Sequence, residues 1–142
     1  MRRRCGMAGA ALSLLSFAVA LLAVTPGSFG GSQCPSWSGN ASLEDIPSEV
    51  TARTEAEWTR LWRRIGAPPP AGFDPAATTA YAYFAGAKPT GGWRIRAVLG
   101  PRNAPVSWQV VPPVAGAIVT QAITHPWRVI LVPIEGPPCH AP

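Results

Sequence analysis

The sequence predicts a mainly β, small α+β protein: an antiparallel sheet of five or six strands with one amphipathic helix packed on it. Three observations support this fold class. The chain has 142 residues, a length that suits one domain. Its 17 prolines and 14 glycines are typical of short strands joined by turns. Helical spacing of apolar residues occurs in one segment, whereas alternation with a period of two occurs in several.

The helix is predicted to begin just after Thr54. Glu57 follows three residues later and completes the Ser/Thr-x-x-Glu capping box. The next apolar residues repeat at i, i+3, i+4 and i+7, which places them on one face. They are Trp58, Leu61, Trp62 and Ile65. Gly66 is the expected C-terminal cap, and the prolines at 68–70 prevent continuation, so we expect a short helix packed on the sheet through its tryptophans.

The strands are predicted from alternation and from short apolar runs between turn residues. The predicted strand segments are 46–53, 78–85, 93–99, 106–111, 118–123 and 127–132. The last is apolar apart from Arg128, as expected of a central strand that is buried on both faces. Residues 31–45 show no such pattern and are expected to be irregular. Residues 135–142 are expected to form a C-terminal tail.

Residues 1–30 have the pattern of a secretory signal peptide. Arg2 to Arg4 form a basic start, an uncharged apolar stretch spans 7–24, and small and helix-breaking residues follow. Two positions in this last part suit cleavage. We therefore expect an exported protein, either periplasmic or secreted. The alternative is an uncleaved membrane anchor, because about 18 apolar residues lie at the lower limit of a membrane-spanning helix. Membrane contact is expected only in that case.

Removing this segment changes the charge and the cysteine count. The whole chain carries +5, but three of its 12 basic residues lie in the signal, which leaves about +2. Nucleic-acid binding is therefore not expected. Cys34 and Cys139 remain, one near each end, and in an oxidising compartment we expect them to form a disulfide. A metal site at Cys139 and His140 lacks further ligands, and Gln33 before Cys34 disfavours a lipidated cysteine.

The sequence does not predict an enzyme. Two histidines and seven acids leave few groups for acid–base chemistry, and the common nucleophile, zinc and phosphate-binding motifs are missing from the sequence. Asp74 precedes a proline at the start of a strand, where a role in the turn is the simpler interpretation. We expect no catalytic residue, no metal and no cofactor.

Two loops are instead the candidate partner-binding residues. They are Lys88, Pro89, Thr90, Gly91, Gly92 and Trp93 in the first loop, and His125, Pro126 and Trp127 in the second. Each loop opens into an apolar strand, and adjacent antiparallel strands can bring such ends together. Lys88 would supply charge at the rim, Thr90 a hydroxyl, and the glycines a close backbone approach. The plainer alternative is two unrelated turns that only reverse the chain.

The same segments resemble a known family. The helix pairs Glu57-Trp58 and Leu61-Trp62, the run from Gly86 to Trp93, and the run from Thr124 to Val129 are similar, in this order, to motifs of the PrcB C-terminal-like family. The departures are tryptophans in the last two runs where tyrosine is more usual. The resemblance implies a PrcB C-terminal-like domain over residues 46–134.

The family is named for a lipoprotein subunit that interacts with a secreted subtilisin-like protease complex. The resemblance therefore implies an exported, non-catalytic domain whose partner is a protein, such as an exported protease. The richness of the chain in Ala, Arg, Gly and Pro is in addition typical of a bacterial genome of high GC content.

A weaker similarity points to protease inhibition. The runs from Lys88 to Gly92 and from His125 to Trp127 resemble, in order, two loops of chagasin-type inhibitors of cysteine proteases, which lie on an immunoglobulin-like sandwich. Their separation is shorter here, and the glycine-rich loop between them is absent. The alternatives to a protease-associated role are therefore a chagasin-like inhibitor and a structural protein of the cell envelope.

Overall fold

Six strands and one α-helix form the part of the chain that the computed structural model describes, residues 32–103 and 106–142. The elements are β1 (Ser36–Gly39), β2 (Ser48–Ala52), α1 (Glu55–Ile65), β3 (Thr78–Phe84), β4 (Arg94–Leu99), a 3-10 turn (Pro101–Asn103), β5 (Val106–Val111) and β6 (Trp127–Pro133). The predicted fold class, mainly β with one helix, is confirmed. The predicted signal segment 1–30 lies outside the described residues.

The six strands divide into two antiparallel sheets. Four of them form one sheet in the order β1-β6-β3-β2, and β4 and β5 form a separate two-stranded hairpin. In the larger sheet β6 is central, since it pairs with β1 on one side and with β3 on the other. The sequence predicted a single sheet, because alternation identifies strands but not which strands pair. The division matters for the site, because the hairpin lies across one face of the sheet.

The helix is capped as the sequence predicts. The Thr54 hydroxyl accepts a hydrogen bond from the Glu57 N–H at 3.2 Å, and the Glu57 carboxylate accepts one from the Thr54 N–H at 3.1 Å. The helix ends at Gly66, whose N–H donates to the carbonyls of Trp62 and Arg63. None of the helices in the described ranges combines the length and the apolar character that a membrane span requires.

The helix covers one face of the sheet with a core rich in tryptophan. Leu61 is fully buried and Trp62 is 4% exposed, and they pack on small residues of β3 such as Ala80 and Ala82. The tryptophan rings of α1 contact Trp37 of β1 edge to face, at centroid distances of 5.8 and 5.9 Å. Alanines on β3 therefore make room for large indole rings on the helix.

The hairpin covers the opposite face. Ile130 and Val132 of β6 point away from the helix and pack with Ala97 of β4. The predicted disulfide is confirmed: Cys34 and Cys139 are bonded, are 2% and 8% exposed, and belong to this second core. The protein thus has three layers, with helix, sheet and hairpin stacked in that order.

The segment expected to be irregular, 31–45, contains strand β1, so that expectation is wrong in part. Ser36 pairs with Ile130 and Gly39 with Trp127. Ser-Trp-Ser-Gly has one large apolar residue and no alternation, so the partner strand rather than local propensity makes it a strand. The tail 135–142 is also anchored, because the His140 carbonyl accepts a hydrogen bond from the Cys34 N–H at 2.9 Å.

The predicted strand at 118–123 is absent from the structure. Ile118 and Ile123 are 104% and 70% exposed, and the isolated bridge between Lys88 and Thr124 lies just beyond the segment. Its apolar composition suggested a strand. A strand needs a continuous ladder, whereas here the neighbouring loop donates an isolated hydrogen bond, from the Gly91 N–H to the Thr120 carbonyl.

Candidate functional site

The two candidate loops meet at one end of the larger sheet. The Lys88 N–H donates to the Thr124 carbonyl at 2.8 Å, and the Thr124 N–H donates to the Lys88 carbonyl at 2.9 Å. The Thr124 hydroxyl also donates to the Thr90 carbonyl at 2.8 Å. The loops are adjacent because β3, which precedes the first, pairs with β6, which follows the second. We call residues 88–93 and 125–127 together the motif edge.

The accessible part of the motif edge is its first loop. The Lys88 ammonium lies 5.2 Å from the centroid of the Trp93 ring, a cation–π contact. Both side chains are half-buried, as is Thr90, whereas Pro89 is exposed. The sequence placed Lys88 at the rim but could not show its contact with Trp93, since nothing in the spacing specifies it. The contact gives the loop a fixed, positively charged tip.

The two glycines of this loop pack against the protein's own chain. The Gly91 N–H donates to the Thr120 carbonyl at 2.8 Å. Gly92 has φ +81°, and a Cβ placed there would lie 2.7 Å from Val119 Cγ1 and 3.0 Å from Pro113 Cβ. The close backbone approach that the glycines allow is therefore to the segment 113–120. Spacing along the sequence does not indicate this neighbour, because the segment is distant along the chain.

The second loop is anchored rather than exposed. Pro126 is fully buried, and Trp127 is 9% exposed within the helix-side core. The Trp127 Nε1 donates to the Ala41 carbonyl at 3.0 Å, and its ring lies 5.6 Å from that of Trp62, centroid to centroid. These contacts make Trp127 a core residue rather than an exposed anchor for a partner. Among the three candidates of this loop, His125 has the most accessible side chain.

His125 fixes the motif edge to the segment that precedes β2. Its Nε2 lies 2.9 Å from Asp45 Oδ1, and its backbone N–H donates to the Asn40 carbonyl at 2.8 Å. Asp45 is largely exposed, so the pair is in contact with solvent. In the residues that the structure describes, no group of three or more His, Cys, Asp or Glu could hold a metal ion. The pair is best explained as a positioning contact.

A cleft of about 360 Å³ opens beside the motif edge, where the end of β1 and the starts of β4 and β6 converge. Trp93, Arg94 and Arg128 line it. Arg128 Nη1 donates to the Ile95 carbonyl at 2.9 Å, which ties the hairpin to the sheet. Burial lowers the pKa of the Arg128 guanidinium from its ordinary value. The cleft was not predicted from the sequence, although a lone arginine in an otherwise apolar strand was a signal for it.

Comparison with known proteins gives a family match in this region. Residues 79–133 match the PrcB C-terminal family. The resemblance seen in the sequence is therefore confirmed, over a narrower stretch than the predicted domain 46–134. No curated protein and no solved structure gives a significant match to the chain.

The PrcB C-terminal match runs from β3 to β6 and so contains the whole motif edge. It leaves out β2 and α1, which nevertheless pack on the matched strands, since β2 pairs with β3 along its length. Strand β2 extends the sheet to which the matched strands β3 and β6 belong, and α1 covers one face of that sheet. The PrcB C-terminal stretch and the residues before it thus share one core.

The architecture differs from that implied by the chagasin similarity. An immunoglobulin-like sandwich has a second sheet on the face that α1 covers here. The second candidate loop, which resembles one of the two inhibitor loops, holds Pro126 and Trp127 buried. Both observations weigh against an inhibitor that inserts this loop into a protease active site.

Proposed function

We propose that the protein is an exported, non-catalytic binding domain that serves as a subunit or regulator of a secreted protease. The observation that carries the proposal is that the family match covers the same two loops that lie side by side in the structure. The match to the PrcB C-terminal family contains both motif loops, and the backbone hydrogen bonds between Lys88 and Thr124 join them into one edge. The partner's binding site on this chain is the motif edge.

Export is supported by the disulfide. Cys34 and Cys139 are bonded and buried, and such bonds persist in oxidising compartments. The compartment is the periplasm or the medium, and retention at the membrane through an uncleaved N-terminal segment is the alternative. The role is binding rather than catalysis, because residues 88–92 form a turn in which Pro89 and Gly92 are exposed and Lys88 and Thr90 are half-buried, and such a turn is suited to contact with another protein.

The test is affinity capture from the exported fraction with the full chain as bait. The wild-type protein should capture a protease or its complex. The double variant Lys88→Ala with Thr90→Ala should bind that partner more than about tenfold more weakly, as expected of an interface centre. Because the lysine contacts Trp93, the variant should lose about 1 kcal/mol or less of folding stability.

The matched control is Thr51→Ala with Arg63→Ala. Both residues are exposed, on β2 and α1, and the pair removes the same kinds of group away from the motif edge. It should bind the partner as the wild type does. Equal binding by both double variants would refute the motif edge as the binding site. Capture of envelope proteins without any protease would favour the structural role instead.

A further inference from the structure

Positive charge is concentrated in one part of this chain. Between residues 75 and 134 there are five lysines and arginines and no aspartate or glutamate. Six of the seven acids lie between residues 44 and 74. The cationic residues are Lys88, Arg94, Arg96, Arg102 and Arg128. The region that contains the motif edge therefore has no internal carboxylate to balance its cations.

Two of these cations line adjoining hollows. Arg94 and Arg96 alternate on β4 and are exposed, because Ile95 between them is the residue buried against the sheet. Arg94 lines both the cleft of about 360 Å³ and a second hollow of about 410 Å³, which Arg96 also lines. We call these two hollows, joined at Arg94, the cationic groove. Its far wall is the apolar segment 112–119.

The third cation of the groove, Arg128, is held by oxygens of the chain itself. Its guanidinium donates to the Ile95 carbonyl at 2.9 Å and to an oxygen of Pro142, the last residue of the sequence, at 2.8 Å. Arg94 and Arg96, by contrast, have no ion-pair partner among the residues that the structure describes. Exposed cations of this kind favour an anion in the hollows that they line.

We propose that the cationic groove binds an acidic, extended segment of the partner polypeptide, with carboxylates held by Arg94 and Arg96. This inference rests on the proposed function and names the chemistry that the partner presents. Arginine binds carboxylates through paired N–H groups, which gives geometric specificity as well as attraction. The exposed Ile118 on the far wall fits an apolar residue beside the acids.

A polypeptide fits this surface better than a membrane does. The arginines lie in concave hollows, and a side chain or an extended strand can enter such a hollow, whereas a lipid surface contacts protruding groups. Trp93 and Pro126 add apolar groups to the wall of the cleft, as in clefts that hold peptide side chains. The occupant is therefore an acidic peptide segment, and a lipid surface is an outcome that the experiment can reveal.

The experiment measures binding of a fluorescein-labelled glutamate-rich peptide to the full chain by anisotropy. A glutamine-rich peptide of the same length and vesicles of phosphatidylglycerol are the comparison probes. The test variant is Arg94→Gln with Arg96→Gln. The control variant is Arg60→Gln with Arg63→Gln, which changes the net charge equally on the exposed side of α1.

The glutamate peptide should bind the wild type and the control alike, and the test variant should bind it more than about tenfold more weakly. Binding should weaken as salt is raised, because the contacts are ionic. Equal loss in both variants, or equal binding of the glutamine peptide, would overturn the proposal. Vesicle binding without peptide binding would overturn it in favour of a lipid surface.

This result is separable from the proposed function. If the capture experiment finds a protease and the test variant captures it as well as the wild type does, peptide binding by the groove is refuted and the proposed function is retained. If the peptide binds through the arginines but no protease is captured, peptide binding by the groove is supported and the association with a protease is refuted.

Discussion

Replacing Gly92 by alanine tests whether the glycines of the motif edge serve the fold or the partner. Gly92 has φ +81°, in the left-handed region, and an added Cβ would lie 2.7 Å from Val119 Cγ1. Gly116 is a matched control, because its φ is +80° and a Cβ there would meet nothing within 4 Å. The two substitutions share the backbone strain and differ only in the contact.

The magnitude follows from these two terms. A left-handed alanine costs about 1–2 kcal/mol at either position, partly offset by about 0.4–1 kcal/mol because alanine restricts the unfolded chain. The contact at Gly92 forces the segment 113–119 to move, and overpacking of this kind costs about 1–3 kcal/mol more. We expect Gly116→Ala to destabilise by about 0–1.6 kcal/mol and Gly92→Ala by about 1–4.6 kcal/mol, so that Gly92→Ala is the more destabilising by about 1–3 kcal/mol.

Urea unfolding followed by tryptophan fluorescence measures both variants. Thermal unfolding should agree, since about 1 kcal/mol corresponds to about 4–8 °C in a domain of this size. Equal stability losses in the two variants would refute the packing argument. A Gly92→Ala protein as stable as the wild type but unable to capture the partner would show that the glycine serves the partner instead.

Three further results are expected. Without reductant, Cys34 and Cys139 should resist alkylation in an intact-mass measurement, and replacing both with serine should cost up to about 4.7 kcal/mol, because the bond closes a long loop. Thr54→Ala should cost about 1 kcal/mol in urea unfolding, because it removes half of the capping box. Stability should fall as the pH drops below 4.5, because the Arg64 hydrogen bond lowers the pKa of Glu44 in the folded state.

The sign of the pH effect follows from the lowered pKa. A carboxyl group with a folded pKa below its ordinary 4.5 stabilises the protein fully above that pH and loses the contribution as it is protonated. Glu44→Gln should therefore lower stability at neutral pH and flatten part of the acid decline. An unchanged acid profile in that variant, free alkylation of either cysteine, or a Thr54→Ala protein of wild-type stability would contradict the respective prediction.

The sequence by itself determined the elements that depend on near neighbours along the chain. The helix was predictable because its cap joins Thr54 to Glu57 and its apolar stripe repeats within two turns. Strand β6 was predictable because its residues are apolar apart from Arg128. The motif loops were identified from the types and order of their residues, and the family match over 79–133 includes both of them.

Only the tertiary structure decided how these elements combine. Strand β1 exists because residues 36–39 pair with 127–130, and the cationic groove exists because β4 is a hairpin strand that crosses β6. Trp127 is a core residue because Trp62 and the Ala41 carbonyl surround it. Each outcome depends on contacts between residues far apart in the chain, and spacing along a sequence carries no information about which distant segments will pack together.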